Sequence, residues 1–435
     1  MTASRLAELL DGVLVGSDSE IDGFATDSRE GGPGKVFLAI RGANVDGHDF
    51  VPAANASVSV VERPVLGAYI LVESLVPALA RMAGLLRDGF VGPVVGITGS
   101  AGKTTTKEMV AAALSPLGPV LKTSGNRNTE FTSPLLWTEL TSEDRSAVVE
   151  MAMRGFGQIA HLAAFTKPTI GLITNVGWSH LEQVGDREGV ARAKGELFDA
   201  LGPEGLCVWW KEDDFASALA ARAGERPTAT FGTSDGADSQ VLDYRMISWT
   251  EATMEGMTDG HAWGARLPAI GRHIALNAAA AVLVAHRSGV PVVAASAALA
   301  GAELPPMRME VRERNGVTVL LDAYNAAPNS MLSAIETLAD APVEGRRFAV
   351  LGEMRELGAY TVQAHEEVGR QLRQDGVADA IFMGSTSGLY QGAFGGGETV
   401  TDIAQVRTFL DGLQPGDAVL IKGSRALELE RALEA

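Results

Sequence analysis

The stretch Gly96–Met109, GITGSAGKTTTKEM, decides the fold of the middle of this 435-residue chain. A glycine-rich turn here separates an apolar strand that ends near Thr98 from a helix that opens near Lys103. Glycines let a backbone wrap around phosphate oxygens, and a helix N-terminus adds N–H donors and the positive end of a dipole. The simpler alternative is an ordinary strand-to-helix turn. We predict a nucleoside triphosphate site whose phosphate-binding residues are Gly99, Ser100, Ala101, Gly102, Lys103, Thr104 and Thr105.

Strand and helix patterns alternate on both sides of this turn, which is typical of a parallel α/β sheet. The apolar strands VVGIT, AVVEMAM and TIGLITNV begin at Val94, Ala147 and Thr169, and a helical pattern follows each of them. An Ala-rich helix is predicted to begin near Asn277. The polar stretch 234–268 is predicted to form strands of a side sheet.

The alternation restarts after LPPMRMEV at Leu304, a run that we interpret as an interdomain hinge. The strands VTVLLD, RRFAVLG, ADAIFMG and DAVLIKG begin at Val317, Arg346, Ala378 and Asp417. The first ninety residues instead mix short strands with turns rich in Gly, Asp and Pro. The prediction is an α/β protein of three domains: a small mixed α/β N-terminal domain (1–90), a central P-loop parallel-sheet ATPase domain (91–304) and a C-terminal Rossmann-like doubly wound domain (305–435).

Composition and charge narrow the class of function. The 46% hydrophobic and 21% charged residues are those of an ordinary globular chain. Fifty-four acidic against 36 basic residues give a net charge of −18, which argues against general binding to nucleic acid or anionic lipid. The single Cys207 cannot form an internal disulfide, and no apolar run reaches the roughly 18 residues of a membrane-spanning helix. We expect a cytoplasmic protein without membrane insertion, in which local donors meet any anionic ligand.

Two polar side chains follow strands of the same predicted sheet. Glu150 and His180 come at the carboxyl ends of parallel strands, where doubly wound sheets bind ligands. Thr104 and Glu150 are suited to a first Mg²⁺, and a second ion is expected at Glu150 and His180. The alternative for His180 is a loop or core histidine, and the alternative for Lys194 on its helix is a solvated side chain.

Four segments, TGSAGKTTT, VEMAMRG, ITNVGWSHLE and ARAKGELF, carry a family resemblance by their order and spacing. In these segments the chain resembles the ATP-dependent Mur ligases of peptidoglycan synthesis. The resemblance implies ATP and two Mg²⁺ ions held by Thr104, Glu150, His180 and Lys194. In the family the matching lysine is often carbamylated, which turns a cation into a carboxylate-like ligand. The implied catalytic residues are Lys103, Lys194, His180 and the hinge residue Arg308.

Shorter segments imply the remaining contacts. TDSREGGPGKVFLAIRGANVDGHDF is similar to the family's uridine-nucleotide-binding domain, GNRNTE to its Asn-rich loop, and GRHIALN and DAYNAAPNSM to segments that contact the nucleotide. LGEMRELG and IKGSRALELE are similar to C-terminal signatures. The implied cofactor-binding residues are His273, Asn277, Arg308, Asp322, Tyr324 and Asn325, although Asn277 is also a plausible N-cap. The implied substrate-binding residues are Ser28, Arg29, Arg41, Gly47, His48, Asn126, Asn128, Glu130, Glu353, Lys422 and Arg425.

The resemblance implies an ATP-dependent ligase that adds D-alanyl-D-alanine to UDP-N-acetylmuramoyl-tripeptide through an acyl phosphate, as a monomer. One alternative is a sibling ligase, either the one that adds the third peptide residue or a folate-polyglutamate type. Another is a nucleotide-gated binding protein with a degenerate site, and a third is a P-loop kinase or GTPase. The third residue of the peptide, which is lysine, diaminopimelate or ornithine, stays open.

Overall fold

The computed structural model describes residues 1–42 and 44–434, which form three β-sheets covered by helices. The first sheet is packed on both faces by apolar side chains such as Leu6, Val60 and Phe37. Its elements are α1 (Ala3–Leu10), β1 (Val13–Val15), β2 (Gly23–Ala25), β3 (Lys35–Leu38), α2 (Val51–Ala54), β4 (Val58–Val61), β5 (Tyr69–Leu71) and α3 (Leu75–Asp88). The strand order is β1-β5-β4-β3-β2, and only the β1–β5 pair is antiparallel.

The second sheet has nine strands and holds the phosphate-binding turn at its centre. Its first elements are β6 (Val94–Thr98), α4 (Lys103–Leu114), β7 (Val120–Lys122), β8 (Ser146–Glu150), α5 (Gln158–Thr166), β9 (Ile170–Ile173), α6 (Leu181–Val184) and α7 (Arg187–Asp199). Those that follow are β10 (Leu206–Trp210), α8 (Ala216–Ala223), β11 (Thr228–Gly232), β12 (Ser239–Ser248), β13 (Glu251–Thr258), β14 (His261–Leu267), α9 (Arg272–Arg287) and α10 (Val292–Ala298). The order is β14-β13-β12-β11-β10-β9-β6-β8-β7, with β6 paired in parallel to β8 and β9.

Two predictions about this sheet are wrong in detail. The polar stretch 234–268 does form strands, but β12 pairs in parallel with β11, so these strands extend the main sheet instead of forming a separate one. The Ala-rich helix begins at Arg272, five residues before Asn277, because Gly271 at φ 118° supplies the break that opens it. Asn277 is therefore a buried residue of the helix interior and not its N-cap.

The third sheet is doubly wound, as predicted. Its elements are β15 (Glu310–Arg314), β16 (Val317–Leu321), α11 (Pro328–Asp340), β17 (Arg347–Gly352), α12 (Thr361–Gln374), β18 (Asp379–Met383), α13 (Ser387–Phe394), β19 (Glu398–Val400), α14 (Ile403–Asp411) and β20 (Ala418–Lys422). The order is β15-β16-β20-β17-β18-β19, parallel except for β15. Buried residues of α11, such as Met331 and Ile335, belong to the same apolar core as those of the second sheet. That shared core places the carboxyl ends of the two sheets around one cleft.

Short 3₁₀ turns complete the chain, at Ser28–Glu30, Gly47–Phe50, Ser115–Leu117, Ser133–Glu139, Leu299–Gly301, Gly358–Tyr360, Arg425–Leu427 and Leu429–Leu433. None of the helices in the described residues has the length and apolar character that crossing a bilayer requires.

Candidate active site

The phosphate-binding turn depends on two glycines. Gly99 has φ 154°, and a Cβ there would lie 1.8 Å from the Thr174 hydroxyl oxygen, so only glycine fits. Gly102 has φ 80° and immediately precedes α4. Because the first N–H groups of a helix lack partners within it, the turn presents donors and a positive dipole end to the cleft.

Thr174 and Asn175, which the sequence analysis missed, follow the neighbouring strand β9 and hold this turn. The Thr174 hydroxyl donates to the Ala101 carbonyl at 2.6 Å, and the Ala101 N–H donates to Asn175 Oδ1 at 3.1 Å. The Ser100 N–H donates to the Asn175 carbonyl at 3.0 Å. These three bonds tie the turn to the segment after β9, and they satisfy the N–H groups of Ser100 and Ala101 within the protein.

Lys103 is the cation of the turn. Its ammonium donates to the Gly99 carbonyl at 2.8 Å and lines the cleft. Burial lowers the pKa of Lys103, the nearby Glu150 carboxylate opposes that shift, and Arg308 adds to it. An anion bound at this point would therefore relieve the cost of a desolvated charge.

Glu150 is the buried carboxylate of the cleft, with 2% of its surface exposed. Asn128 Nδ2 donates to Glu150 Oε1 at 2.8 Å, whereas Oε2 has no hydrogen-bond partner among the described residues. A buried, unpaired carboxylate oxygen is costly. Mg²⁺, which takes one or two carboxylates with phosphate oxygens and water, would satisfy this oxygen, so Glu150 and Thr104 fit the first predicted ion.

Arg308 reaches across the cleft from the third sheet's side. Its Nη2 donates to the Thr104 hydroxyl at 3.0 Å, and its guanidinium lies 4.2 Å from the centre of the Tyr324 ring. Met307 and Met309 on either side both have positive φ, 59° and 52°, which is strained for residues with a side chain. The predicted hinge arginine is therefore held in the cleft at a strained joint of the backbone.

Asp322 and the buried Lys422 form an ion pair at the carboxyl ends of β16 and β20. Lys422 Nζ lies 2.5 Å from Asp322 Oδ2 and 2.9 Å from the Asn325 carbonyl, with the side chain 2% exposed. Asp322 Oδ1 also accepts the Met309 N–H at 3.2 Å. Lys422 thus lies beside the residues predicted to contact the nucleotide.

Aromatic side chains surround the far end of the cleft. His273 and Asn277 of α9 line it with Trp210 and Phe231, which the sequence analysis missed. The indole nitrogen of Trp210 and Nδ1 of His273 are buried with no hydrogen-bond partner in the described part of the chain. Flat apolar walls with unsatisfied polar atoms suit a nucleobase.

The His273 ring makes the stability of the ligand-free protein depend on pH. Burial lowers the pKa of His273 from 6.5 to about 4, so the folded protein resists a proton that the unfolded chain accepts. The His273 contribution is complete above pH 6.5 and is lost as the pH falls through about 4. In urea unfolding, we expect the wild type to lose about 2 kcal/mol more than His273→Leu over this window. The control is His261→Leu at an exposed site; equal losses in wild type and His273→Leu would contradict the assignment.

These residues line one cleft of about 480 Å³, which is in the usual range for ligand pockets. Three cations, Lys103, Arg308 and Lys422, face two carboxylates, Glu150 and Asp322. The cleft is thus locally positive although the chain carries −18. The predicted residues that line it are Ser100, Ala101, Gly102, Lys103, Thr104, Thr105, Asn126, Asn128, Glu150, His273, Asn277, Arg308, Asp322, Tyr324, Asn325 and Lys422.

His180 and Lys194 are not in that lining. His180, with φ 56°, places Nδ1 2.5 Å from Glu356 of the third sheet's side, and Trp178 packs edge-on against Tyr360 at 5.0 Å nearby. The hydrogen bond from His180 lowers the pKa of Glu356, against the effect of burial. Sequence reasoning singled out Glu353 in LGEMRELG and missed Glu356. The Glu356 carboxylate links a residue on the third sheet's side to His180 on the second sheet's side.

Lys194 is 1% exposed, which rules out the solvated alternative. Burial, reinforced by the Lys103 charge, holds the pKa of Lys194 well below its usual range. No group of three or more His, Cys, Asp or Glu side chains that could hold a metal is found in the described residues. A second ion would therefore need a further oxygen ligand, such as a modified Lys194.

Most predicted substrate residues of the first sheet are engaged within their own turns. His48 is buried; its Nδ1 bonds Asp46 at 2.6 Å and its Nε2 accepts the Glu62 N–H at 2.9 Å. Gly47 packs so closely that a Cβ would lie 2.5 Å from the Ile40 carbonyl oxygen. Arg41 lies 3.8 Å from Asp46. Ser28, which is half-buried, and the exposed Arg29 belong to a 3₁₀ turn in which Arg29 pairs with Asp27.

Three further predicted substrate residues lie outside the cleft lining. Glu353 accepts from the Ser385 N–H and hydroxyl at 2.8 and 2.7 Å and pairs with Arg355 at 2.8 Å. Arg425 pairs with Glu430. Glu130, in the Asn-rich loop, is half-buried. Asn126 and Asn128 are thus the substrate-loop residues that reach the cleft.

Comparisons with known proteins agree over nearly the whole chain. Family models match as "Mur ligase family, catalytic domain" at 20–120, "Mur ligase middle domain" at 97–285 and "Mur ligase, glutamate ligase domain" at 307–425. The UDP-N-acetylmuramoyl-tripeptide--D-alanyl-D-alanine ligase of Synechocystis sp. is 36% identical, covering 97% of this chain and 93% of that protein.

Two solved structures are similar in three dimensions. A crystal structure of MurF from Acinetobacter baumannii has a TM-score of 0.90 at 29% identity and covers 99% of this chain and 97% of that one. MurF from Thermotoga maritima in complex with ADP has a TM-score of 0.82 at 32% identity and covers 94% and 96%. The similarity includes all three sheets.

Proposed function

The chain belongs to the Mur ligase family, and from that premise we propose that it joins D-alanyl-D-alanine to UDP-N-acetylmuramoyl-tripeptide, with ATP converted to ADP and phosphate. The observation that carries the proposal is that Arg308 reaches the Thr104 hydroxyl of the phosphate-binding turn and lines one cleft together with Lys103. Two cations converging on a phosphate-binding turn are what phosphoryl transfer requires. The product is UDP-N-acetylmuramoyl-pentapeptide, a precursor for peptidoglycan.

A carboxylate is a poor electrophile, so the reaction needs two steps. An oxygen of the tripeptide carboxylate attacks the γ-phosphorus of ATP, the bond to the β-phosphate oxygen breaks, and ADP leaves. The amine of D-alanyl-D-alanine then attacks the acyl-phosphate carbonyl, loses a proton, and expels phosphate. In this assignment Lys103 and Arg308 neutralise the charge on the transferred phosphoryl group. Closure of the cleft excludes water, which would hydrolyse the acyl phosphate.

Magnesium fits the same cleft. Thr104 and Glu150 would hold one ion, which when bound supplies charge neutralisation on the phosphates. A second ion near His180 and Lys194 belongs to the proposal as well. Glu356 then orients the His180 ring through its bond to Nδ1 and leaves Nε2 free to bind.

Lys194 is expected to react with CO₂. Its pKa is held well below the usual value. A larger fraction of the molecules therefore carries Lys194 as the neutral amine, which is the form that reacts to give a carbamate. With ¹³C-labelled bicarbonate, we expect one carbamate carbonyl signal in the NMR spectrum of the wild type and none in Lys194→Met. Lys167→Met, at an exposed ion pair, is the matched control. A signal that survives in Lys194→Met would contradict the assignment.

The remaining contacts follow from this assignment. We assign UDP-sugar-peptide binding to residues 1–90, ATP binding to 91–304, and ATP closure with dipeptide binding to 305–435. His273, Asn277, Asp322, Tyr324 and Asn325 are assigned to the nucleotide. Ser28, Arg29, Arg41, Gly47, His48, Asn126, Asn128, Glu130, Glu353, Lys422 and Arg425 are assigned to the peptide substrates. A cytoplasmic monomer completes the proposal.

Phosphate release tests this function. Purified protein with ATP and Mg²⁺ is given the UDP-tripeptide alone, D-alanyl-D-alanine alone, and both, and sustained release is expected only with both. Release with a shorter precursor and a single amino acid would instead assign a sibling ligase. Release without any amino-acid acceptor would favour a kinase or GTPase, and no release under any combination would favour the binding protein with a degenerate site.

A further inference from the structure

A fully buried lysine lies one helical turn beyond Lys103 and has no place in the mechanism so far. Lys107 of α4 is 0% exposed. Its ammonium has three partners: the Thr123 carbonyl at 2.5 Å, Glu108 Oε1 at 2.9 Å and the Gly125 carbonyl at 3.4 Å. These match the three donors of an ammonium group. Glu108 in turn binds the half-exposed Lys122 at 2.5 Å.

Two of these partners belong to one segment, 123–128, which carries cleft residues. Its four middle residues, 124–127, are exposed, and Gly125 has φ 55°. Apolar burial therefore does little to fix the backbone of this segment. The Lys107 ammonium instead fixes its first half through hydrogen bonds to the Thr123 and Gly125 carbonyls.

The segment in turn fixes Glu150 from two sides. The Thr123 hydroxyl accepts the Glu150 N–H at 3.1 Å, and Asn128 Nδ2 donates to Glu150 Oε1 at 2.8 Å. Asn126 and Asn128 themselves line the cleft. A single helix thus places Lys103 in the lining of the cleft and Lys107 under the segment that contacts Glu150.

We propose that Lys107 is a positioning residue, which fixes segment 123–128, and through it Glu150, Asn126 and Asn128, relative to the phosphate-binding turn. The inference rests on the proposed ligase function. Removing one partner of a buried ion pair lowers stability, because the other partner then stays buried without compensation. A role in folding alone would therefore loosen the protein generally and weaken ADP binding, whereas a positioning role would confine the change to segment 123–128 and to catalysis.

The test compares Lys107→Met with the matched control Lys122→Met, which removes the outer partner of the same Glu108. For Lys107→Met we expect kcat at least tenfold lower and a raised KM for the UDP-tripeptide, with ADP affinity within about threefold of wild type. Hydrogen–deuterium exchange should rise in 123–128 and stay unchanged in α4. Lys122→Met should leave all four quantities near wild type.

The exchange and ADP-binding measurements need no ligase activity, so they test the positioning role separately from the proposed function. The proposed function itself fails if the wild type forms no product. Wild-type kcat and exchange in Lys107→Met would overturn the positioning role. A general rise in exchange with loss of ADP binding would also overturn it, because that result indicates a residue of the fold. If Lys107→Met does not fold, the second variant is Thr123→Val, which removes the hydroxyl that accepts the Glu150 N–H. We then expect a reduced kcat with normal ADP binding. An unchanged kcat would overturn the proposal.

Discussion

Replacing Lys103 with alanine is expected to lower kcat for phosphate release by at least about 100-fold. The change removes an ammonium that lines the cleft and donates to the Gly99 carbonyl, so charge developing on the transferred phosphoryl group loses one of the two cations assigned to it. Burial lowers the pKa of Lys103, because removing the ammonium from water disfavours its charged form. The variant should therefore fold with undiminished thermal stability, and the loss should appear in turnover alone.

Lys167→Ala, which breaks an exposed ion pair with Asp88, is the matched control and should keep full activity. Full ATP turnover in Lys103→Ala would contradict the phosphate-binding assignment. A variant that is inactive because it is unfolded would be recognised by a lowered melting temperature.

Replacing Glu150 with glutamine is expected to cause a loss of similar size, with a metal-dependent signature. The glutamine carbonyl can still accept from Asn128, but its amide NH₂ replaces the unpaired Oε2 and cannot bind a cation. We expect kcat to fall about 100-fold or more, the Mg²⁺ concentration for half-activity to rise, and ADP binding in the absence of Mg²⁺ to stay unchanged. Glu139→Gln, at an exposed pair with Arg127, is the control. An unaltered Mg²⁺ dependence would remove Glu150 from the metal site.

Local sequence patterns predicted most of this fold because each depends on neighbours along the chain. The turn between β6 and α4 could be located from its glycines and the following lysine and threonine. The parallel strands of the second and third sheets are recognisable in the sequence as short runs of apolar residues. The start of α9 was missed because the Ala-rich run after Asn277 dominated the helical pattern, while the actual break is the positive φ of Gly271.

Contacts between distant segments could not be predicted in the same way. Asn175, which follows β9, supports the phosphate-binding turn across more than 70 residues of chain, and only the β6–β9 pairing brings the two together. Trp210 and Phe231 look like ordinary sheet residues in sequence. Glu356 meets His180 only because residues of the second and third sheets share one apolar core, which brings together segments 176 positions apart. For Glu356, a carboxylate three residues after Glu353 in LGEMRELG was the available signal.

The measurement that tests the central claim most directly follows one oxygen atom. The acceptor carboxylate of the UDP-tripeptide is labelled with ¹⁸O at both positions, the reaction is run with ATP, Mg²⁺ and D-alanyl-D-alanine, and the released phosphate is analysed by mass spectrometry. If the carboxylate attacks the γ-phosphorus, each phosphate released carries one ¹⁸O and the new amide keeps the other. Unlabelled phosphate formed together with the pentapeptide would contradict an acyl-phosphate ligase at this site.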